Sequence, residues 1–299
     1  MKRYYALFFF LFATYSFAQT EGYAVNADAS QTYFRTFGSG TPILIINGGP
    51  GMNSNGFEAM ARKLAKNHLT IIYDQRGTGK SALSVLDSST INMKKMVADI
   101  EVLRKHLKID KWSVLGHSFG GMLASYYATL HPEHIDKLIL SSSGGVDLKL
   151  LNGPNLIDSH LSKAEKDSLR YWNNKIENGD TSHKARLGRG RAMAPAYVFD
   201  RKFIPIIAER LTQSNMTINS LVWNDLQKMQ FDCKEELKSF KRPVLIIQGK
   251  QDIISNEIGE LALHTFPNAR LVLLEKCKHY GWLDAEYNYF GEIEGFLKD

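Results

Sequence analysis

Trp112-Ser113-Val114-Leu115-Gly116-His117-Ser118-Phe119-Gly120-Gly121 is an apolar run that ends in Gly-x-Ser-x-Gly and passes directly into helix-forming residues. The pattern predicts a strand, a sharp turn carrying a serine, and a helix that starts behind it. Such a turn strains the serine backbone, and the residues two places either side must be small for strand and helix to approach. Gly116 and Gly120 meet that need. The serine hydroxyl would then stand over the free N–H groups of a helix N-terminus, where negative charge is stabilised. Ser118 is therefore the candidate nucleophile.

Strand patterns flank this turn. Pro42 to Ile46 and Leu69 to Tyr73 are apolar without alternation, as expected of strands buried on both faces of a parallel sheet. One or two antiparallel edge strands are expected earlier, over Gly22 to Val25 and Thr32 to Phe37. Helical stretches are expected over about Phe57 to Lys66 and Asn92 to His106. The second places Met93, Met96, Val97, Ile100 and Leu103 at the spacing of a core face. Another buried strand is read over Lys137 to Ser141. The alternation predicts an α/β fold with a doubly wound, mostly parallel sheet, whose ligands bind beyond the carboxyl ends of the strands.

From Gly144 to Arg242 the rhythm breaks into amphipathic stretches with no buried strand, read as a helical insertion. Within it Arg186, Arg189 and Arg191 read as a solvated loop. Sheet rhythm resumes at Pro243 to Gln248, followed by Gly249-Lys250-Gln251-Asp252. A last strand, Ala269 to Leu274, leads to Cys277-Lys278-His279, and a closing helix is expected from about Glu286 to Leu297. The division is thus residues 1–18, a first core part 19–143, the insertion 144–242 and a second core part 243–299.

Three motifs then fall at carboxyl strand ends: Asn47-Gly48-Gly49-Pro50-Gly51, Asp74-Gln75-Arg76-Gly77-Thr78-Gly79-Lys80-Ser81, and Gly116-His117-Ser118-Phe119-Gly120-Gly121. In this order and spacing the chain resembles the proline iminopeptidase group of the α/β-hydrolase superfamily. Asn47 stands where that group usually has His, and Phe119 where it often has Trp or Tyr. The resemblance implies an α/β-hydrolase fold whose insertion is a cap over the site. It implies a Ser118, Asp252, His279 triad, in the chain order Ser, acid, His that this fold uses.

The chemistry asks for those residue types. A serine hydroxyl needs a base to take its proton and a carboxylate to orient that base. Asp147 also follows a strand and is the rival acid. The glycine loop after Ile46 leaves backbone donors exposed; Pro50 has none, so Gly49 N–H is expected to share the oxyanion with Phe119 N–H. His117 is expected to brace the turn. Asp74 and Arg76 are expected to brace their loop without taking part in chemistry.

For substrate, an aminopeptidase releasing N-terminal proline or another residue is expected from the resemblance, acting on small peptides and needing carboxylates that bind the free ammonium. Glu177 and Glu209 are candidates by location, while Ile253 stands where one branch of the group has an amine-binding glutamate. Trp172 and Trp223, with Tyr197 and Phe199, would wall an apolar pocket or fill the cap core. The alternatives are a general carboxylesterase or amidase on small apolar acyl substrates and, more remotely, a ligand-binding protein with a residual triad. Asp at position 118 would be needed for epoxide hydrolase or dehalogenase chemistry.

Met1-Lys2-Arg3 followed by an apolar stretch to Phe17 and by Ala18 reads as a secretory signal peptide cleaved before Gln19, so the protein is expected to be exported, periplasmic or secreted. The formal net charge of +6, two units of it in that segment, is mild and excludes a nucleic-acid footprint. No Cys/His spacing suggests a metal site and the triad chemistry calls for no cofactor. Cys233 and Cys277 are the only cysteines; export would permit a bond between them, but two free, partly buried thiols are expected.

Overall fold

The computed structural model describes residues 19–151 and 156–298; the expected signal segment lies outside them. Eight strands form one sheet: β1 (Thr20–Val25), β2 (Gln31–Phe37), β3 (Pro42–Ile46), β4 (Leu69–Tyr73), β5 (Trp112–His117), β6 (Ile135–Ser141), β7 (Val244–Gly249) and β8 (Ala269–Leu274). Their order is β1-β2-β4-β3-β5-β6-β7-β8. The β1–β2 and β2–β4 pairs are antiparallel and the others parallel. The antiparallel strands and the parallel core are those the sequence predicts, but only β1 of the pair is an edge strand, since β2 is paired with both β1 and β4 and the other edge is β8.

The uniform apolar runs have a simple cause. In β3, Leu44 and Ile46 enter the core on one side of the sheet while Ile43 and Ile45 enter the core on the other. Leu138 and Leu140 against Ile139 in β6, and Val244 and Ile246 against Leu245 and Ile247 in β7, repeat the division. With both faces covered no polar alternation survives.

Helices cover both faces. The first three are α1 (Glu58–Leu64), α2 (Met93–His106) and α3 (Phe119–Leu130). Asn92 caps α2 by accepting from Lys95 N–H at 3.0 Å, and Arg104, Lys105 and His106 sit in its last turn, where the helix dipole favours cations. Between β6 and β7 come α4 (Leu156–Ser159), α5 (Lys163–Glu177), α6 (His183–Tyr197), α7 (Ile204–Leu211), α8 (Met216–Lys228) and α9 (Lys234–Leu237). Ser162 and Glu165 form a reciprocal capping box at the start of α5. The remaining three are α10 (Asn256–Thr265), α11 (Gly281–Asp284) and α12 (Glu286–Lys298). No helix among the described residues is long and apolar enough to cross a membrane.

One expectation changes here. Arg186, Arg189 and Arg191 lie inside α6, not in a loop. The expectation of two free thiols stands: Cys233 and Cys277 are free and buried in the cores on opposite faces of the sheet, which prevents a bond between them. Burial pushes the Cys233 thiol up to about 12.

Chain order runs from β3 outward to β4, then returns to β5 on the other side of β3. That reversal opens a crevice at the carboxyl ends of β3 and β5. The Asn47–Gly51 loop and Ser118 lie there.

Candidate active site

Ser118 follows β5 directly and has φ 55° and ψ −122°, a region non-glycine residues rarely occupy. Strain of this kind costs roughly 1–3 kcal/mol and persists only where the surroundings enforce it. Here Ser118 N–H donates to Ser141 O at 3.0 Å, while Ser118 O accepts from Gly121 N–H at 2.9 Å and Gly144 N–H at 3.0 Å. A Cβ on Gly116 would collide with the Gly120 carbonyl oxygen, and one on Gly120 with the Ile46 carbonyl oxygen. The small residues on either side of the serine are thus required by how closely strand, turn and helix pack.

The glycine loop after β3 lies against this turn. A Cβ on Gly48 would meet Ser118 Cβ at 2.7 Å. Gly49 has φ +74°, which favours glycine there. Among the described residues neither Gly49 N–H nor Phe119 N–H has a hydrogen-bond partner, and both residues line the same cavity as Ser118. Helices of the insertion hold the loop from above. Arg210 Nη2 donates to Gly48 O at 3.1 Å, Asn215 N–H to Gly51 O at 3.0 Å and Asn219 Nδ2 to Pro50 O at 3.3 Å. From below, Gln75 Nε2 donates to Asn47 O at 2.8 Å, and Asn47 Nδ2 to Gly48 O at 3.2 Å. Asn47 thus works as a brace.

Asp74 accepts from Ser54 N–H and Oγ, at 2.8 and 2.7 Å, and from Lys80 N–H at 2.9 Å. Arg76 pairs with buried Asp99 at 2.7 Å. Both are structural, as expected.

Asp252 and His279 arrive from the loops after β7 and β8. His279 Nδ1 lies 2.8 Å from Asp252 Oδ1, with side-chain exposures of 3% and 0%. An imidazole so placed donates Nδ1–H to the carboxylate and keeps Nε2 for a second partner. His279 N–H donates to Tyr197 O at 3.0 Å, tying the histidine to the end of α6. Ser118 and His279 line one cavity. Asp147 is elsewhere engaged, paired with Lys234 and accepting from Lys149 N–H at 3.1 Å.

His117 does more than brace the turn. Its ring centroid lies 4.7 Å from that of His279, and Phe57, Tyr280 and Trp282 pack around it. Burial foremost, then the charges of His279 and Arg210, holds its pKa well below the usual histidine range. The shift favours a neutral ring beside His279. Ser141 Oγ accepts from Tyr289 OH at 2.9 Å, which leaves its own proton for His117 Nδ1 at 3.3 Å.

The cavity encloses about 550 Å³. Apolar side chains dominate its wall, among them Met52, Met122, Leu148, Met193, Trp223 and Ile253. No carboxylate is among the described residues that line it. Glu177 is exposed, and Glu209 pairs with His183 at 2.9 Å on the surface. Neither candidate for binding an ammonium reaches the cavity. Trp223 and Tyr197 line it, whereas Trp172 packs against Gly188 and Tyr171 outside and Phe199 is exposed. Arg189 and Arg210 were not legible as site residues, since arginine on a helix looks solvated until the helix is docked.

The family described as "alpha/beta hydrolase fold" matches residues 41–286. Proline iminopeptidase from Heyndrickxia coagulans is 26% identical over 298 residues, covering 93% of this chain and 98% of its own. That from Clostridium botulinum is 27% identical over 297 residues, again covering 93% and 98%. Among solved structures, an esterase from Exiguobacterium antarcticum superposes with a TM-score of 0.70 at 21% identity, covering 94% of this chain and 100% of its own. A 2-hydroxy-6-oxo-6-phenylhexa-2,4-dienoate hydrolase from Rhodococcus gives 0.75 at 18% identity, with 95% and 100% covered.

Proposed function

Because the chain belongs to the α/β-hydrolase fold family, we propose that it is a serine hydrolase whose triad is Ser118, His279 and Asp252 and whose substrate presents an apolar acyl group. The observation that carries the substrate side is the wall of the cavity, apolar around Ser118 and without a carboxylate among its described residues. A free ammonium would enter with no anion to pair with, at a desolvation cost of several kcal/mol. An ester or amide with an apolar acyl part meets no such penalty.

The steps follow from the positions of the groups. Ser118 Oγ attacks the carbonyl carbon while His279 Nε2 takes its proton. The oxyanion accepts from Gly49 N–H and Phe119 N–H. Asp252 stabilises the imidazolium through the 2.8 Å contact with Nδ1. His279 then gives the proton to the departing alcohol or amine, and a water activated by the same imidazole releases the acid and restores Ser118.

A second reading, aminopeptidase, rests on the proline iminopeptidase relatives at 26–27% identity. Proline and other aminoacyl 4-nitroanilides set against 4-nitrophenyl alkanoates separate the two. Turnover of the esters with aminoacyl anilides left intact is expected. Efficient release from the anilides, lost when the amine is blocked, would overturn the esterase reading.

We also propose that the protein is exported, on the basic start and apolar stretch of residues 1–18. N-terminal sequencing of protein from outside the cytoplasm is expected to begin at Gln19; a start at Met1 would reject cleavage.

A further inference from the structure

We propose that Arg189 is the anion-binding end of the acyl pocket, so that the preferred acyl group carries a carboxylate at its far end. The inference rests on the reading of Ser118 as nucleophile and adds the substrate's charge to it.

Arg189, Met193 and Tyr197 are spaced four residues apart on α6 and all three line the cavity. One stripe of that helix therefore faces the substrate space. Tyr197 marks the catalytic end of the stripe, its ring centroid 5.5 Å from that of His279. Arg189 lies two helical turns away, about 12 Å along the axis at ~1.5 Å per residue. The cavity thus has a nucleophile at one end, a cation toward the other and apolar wall between.

The arginine is half-buried and held at one nitrogen. Its Nε donates to Asn173 Oδ1 at 2.9 Å, which fixes the plane of the guanidinium. Among the described residues its Nη groups have no partner and no carboxylate pairs with it. Apart from the histidines, Arg189 is the only ionisable nitrogen base among the described residues that line the cavity, and no acid balances it. A guanidinium fork facing an apolar space is matched by a carboxylate, which accepts two parallel hydrogen bonds. The same charge repels a substrate ammonium.

Paired substrates test this. Mono-4-nitrophenyl esters of adipic, pimelic and suberic acid are compared with their neutral twins, in which the distal carboxyl is a methyl ester. Shorter diacids are avoided because their own carboxylate expels nitrophenol. Release of nitrophenolate gives kcat/KM for each twin. The acid is expected to be favoured over its methyl ester by about tenfold or more for at least one chain length, mainly through KM. In Arg189→Met that ratio should fall to about one, and in Arg189→Lys an intermediate ratio should remain. Because the readout is a ratio, loss of folded protein cancels from it. A wild-type ratio near or below one, or one that survives Arg189→Met, overturns the anion subsite while the hydrolase reading stands. Absence of turnover of both twins together with absence of Ser118 labelling by a fluorophosphonate overturns both.

Discussion

Arg210 Nη2 donates to the carbonyl oxygen of Gly48 at 3.1 Å, and that carbonyl belongs to the same peptide as the Gly49 N–H. Arg210 is 6% exposed, stacks over Phe57 with 4.8 Å to the ring centroid, and has no carboxylate partner among the described residues. Its Nε and Nη1 are buried without partners. A cation held on the oxygen side of a peptide polarises the N–H on the other side. Arg210→Met is therefore expected to lower kcat by about tenfold with little change in KM, because the N–H acts most strongly on the developing oxyanion. Steady-state kinetics of Arg210→Met and Arg210→Lys check this; a rise in KM alone would show that the residue serves only binding.

Arg76 and Asp99 make the opposite case. Their pair is 3% exposed on each side and lies within the braces of the Asp74–Ser81 loop. Removing Asp99 leaves the buried Arg76 guanidinium with the more exposed Asp28 at 3.2 Å as its remaining carboxylate, so the cost is at or below the roughly 3–5 kcal/mol of breaking a buried pair outright. Asp99→Ala is expected to lower the melting temperature sharply, while the fraction that remains folded labels with a fluorophosphonate at the wild-type rate. A folded variant with slowed labelling would place the pair in the chemistry.

Glu101 makes acid the condition under which the core loosens. Burial pushes its carboxyl up, but hydrogen bonds from Arg104 and Tyr127 outweigh burial and hold it at about 2, below the ordinary 4.5. A depressed folded value means that the unfolded chain binds the extra proton. The stabilisation is whole above about pH 4.5 and is lost as pH falls toward 2. Denaturant unfolding at pH 7 and pH 3 is expected to show a smaller pH difference for Glu101→Gln than for wild type. An equal difference would mean that Glu101 titrates normally.

What could be read from the chain follows from where information is local. Leu69–Tyr73 was legible to the residue because a buried strand shows its burial in consecutive letters, and the half-buried edge strand Ala269–Leu274 was legible from its apolar run alone. The Ser118 turn was legible because its glycines answer contacts with Gly120 and Ile46 only a few residues or one strand away. Arg189 and Arg210 were not. Each lies on a helix that joins the site only through tertiary docking, Arg189 through the inward stripe of α6 and Arg210 through its bond to Gly48. Glu177 and Glu209 failed as ammonium ligands for the same reason, since location in the insertion does not say which way a helix turns. The contact of His117 with His279 also escaped, because a strand end and a loop 162 positions apart bring the rings together, and alternation along β5 alone does not reveal it.

The central claim is that Ser118 is the nucleophile activated by His279. Intact-mass and peptide mass spectrometry after exposure to a fluorophosphonate test it most directly. One adduct on the peptide that contains Ser118 is expected for the wild type, no adduct for Ser118→Ala, and strongly slowed labelling for His279→Ala. An adduct that persists in Ser118→Ala, or a wild type that folds and takes no label, would contradict the account.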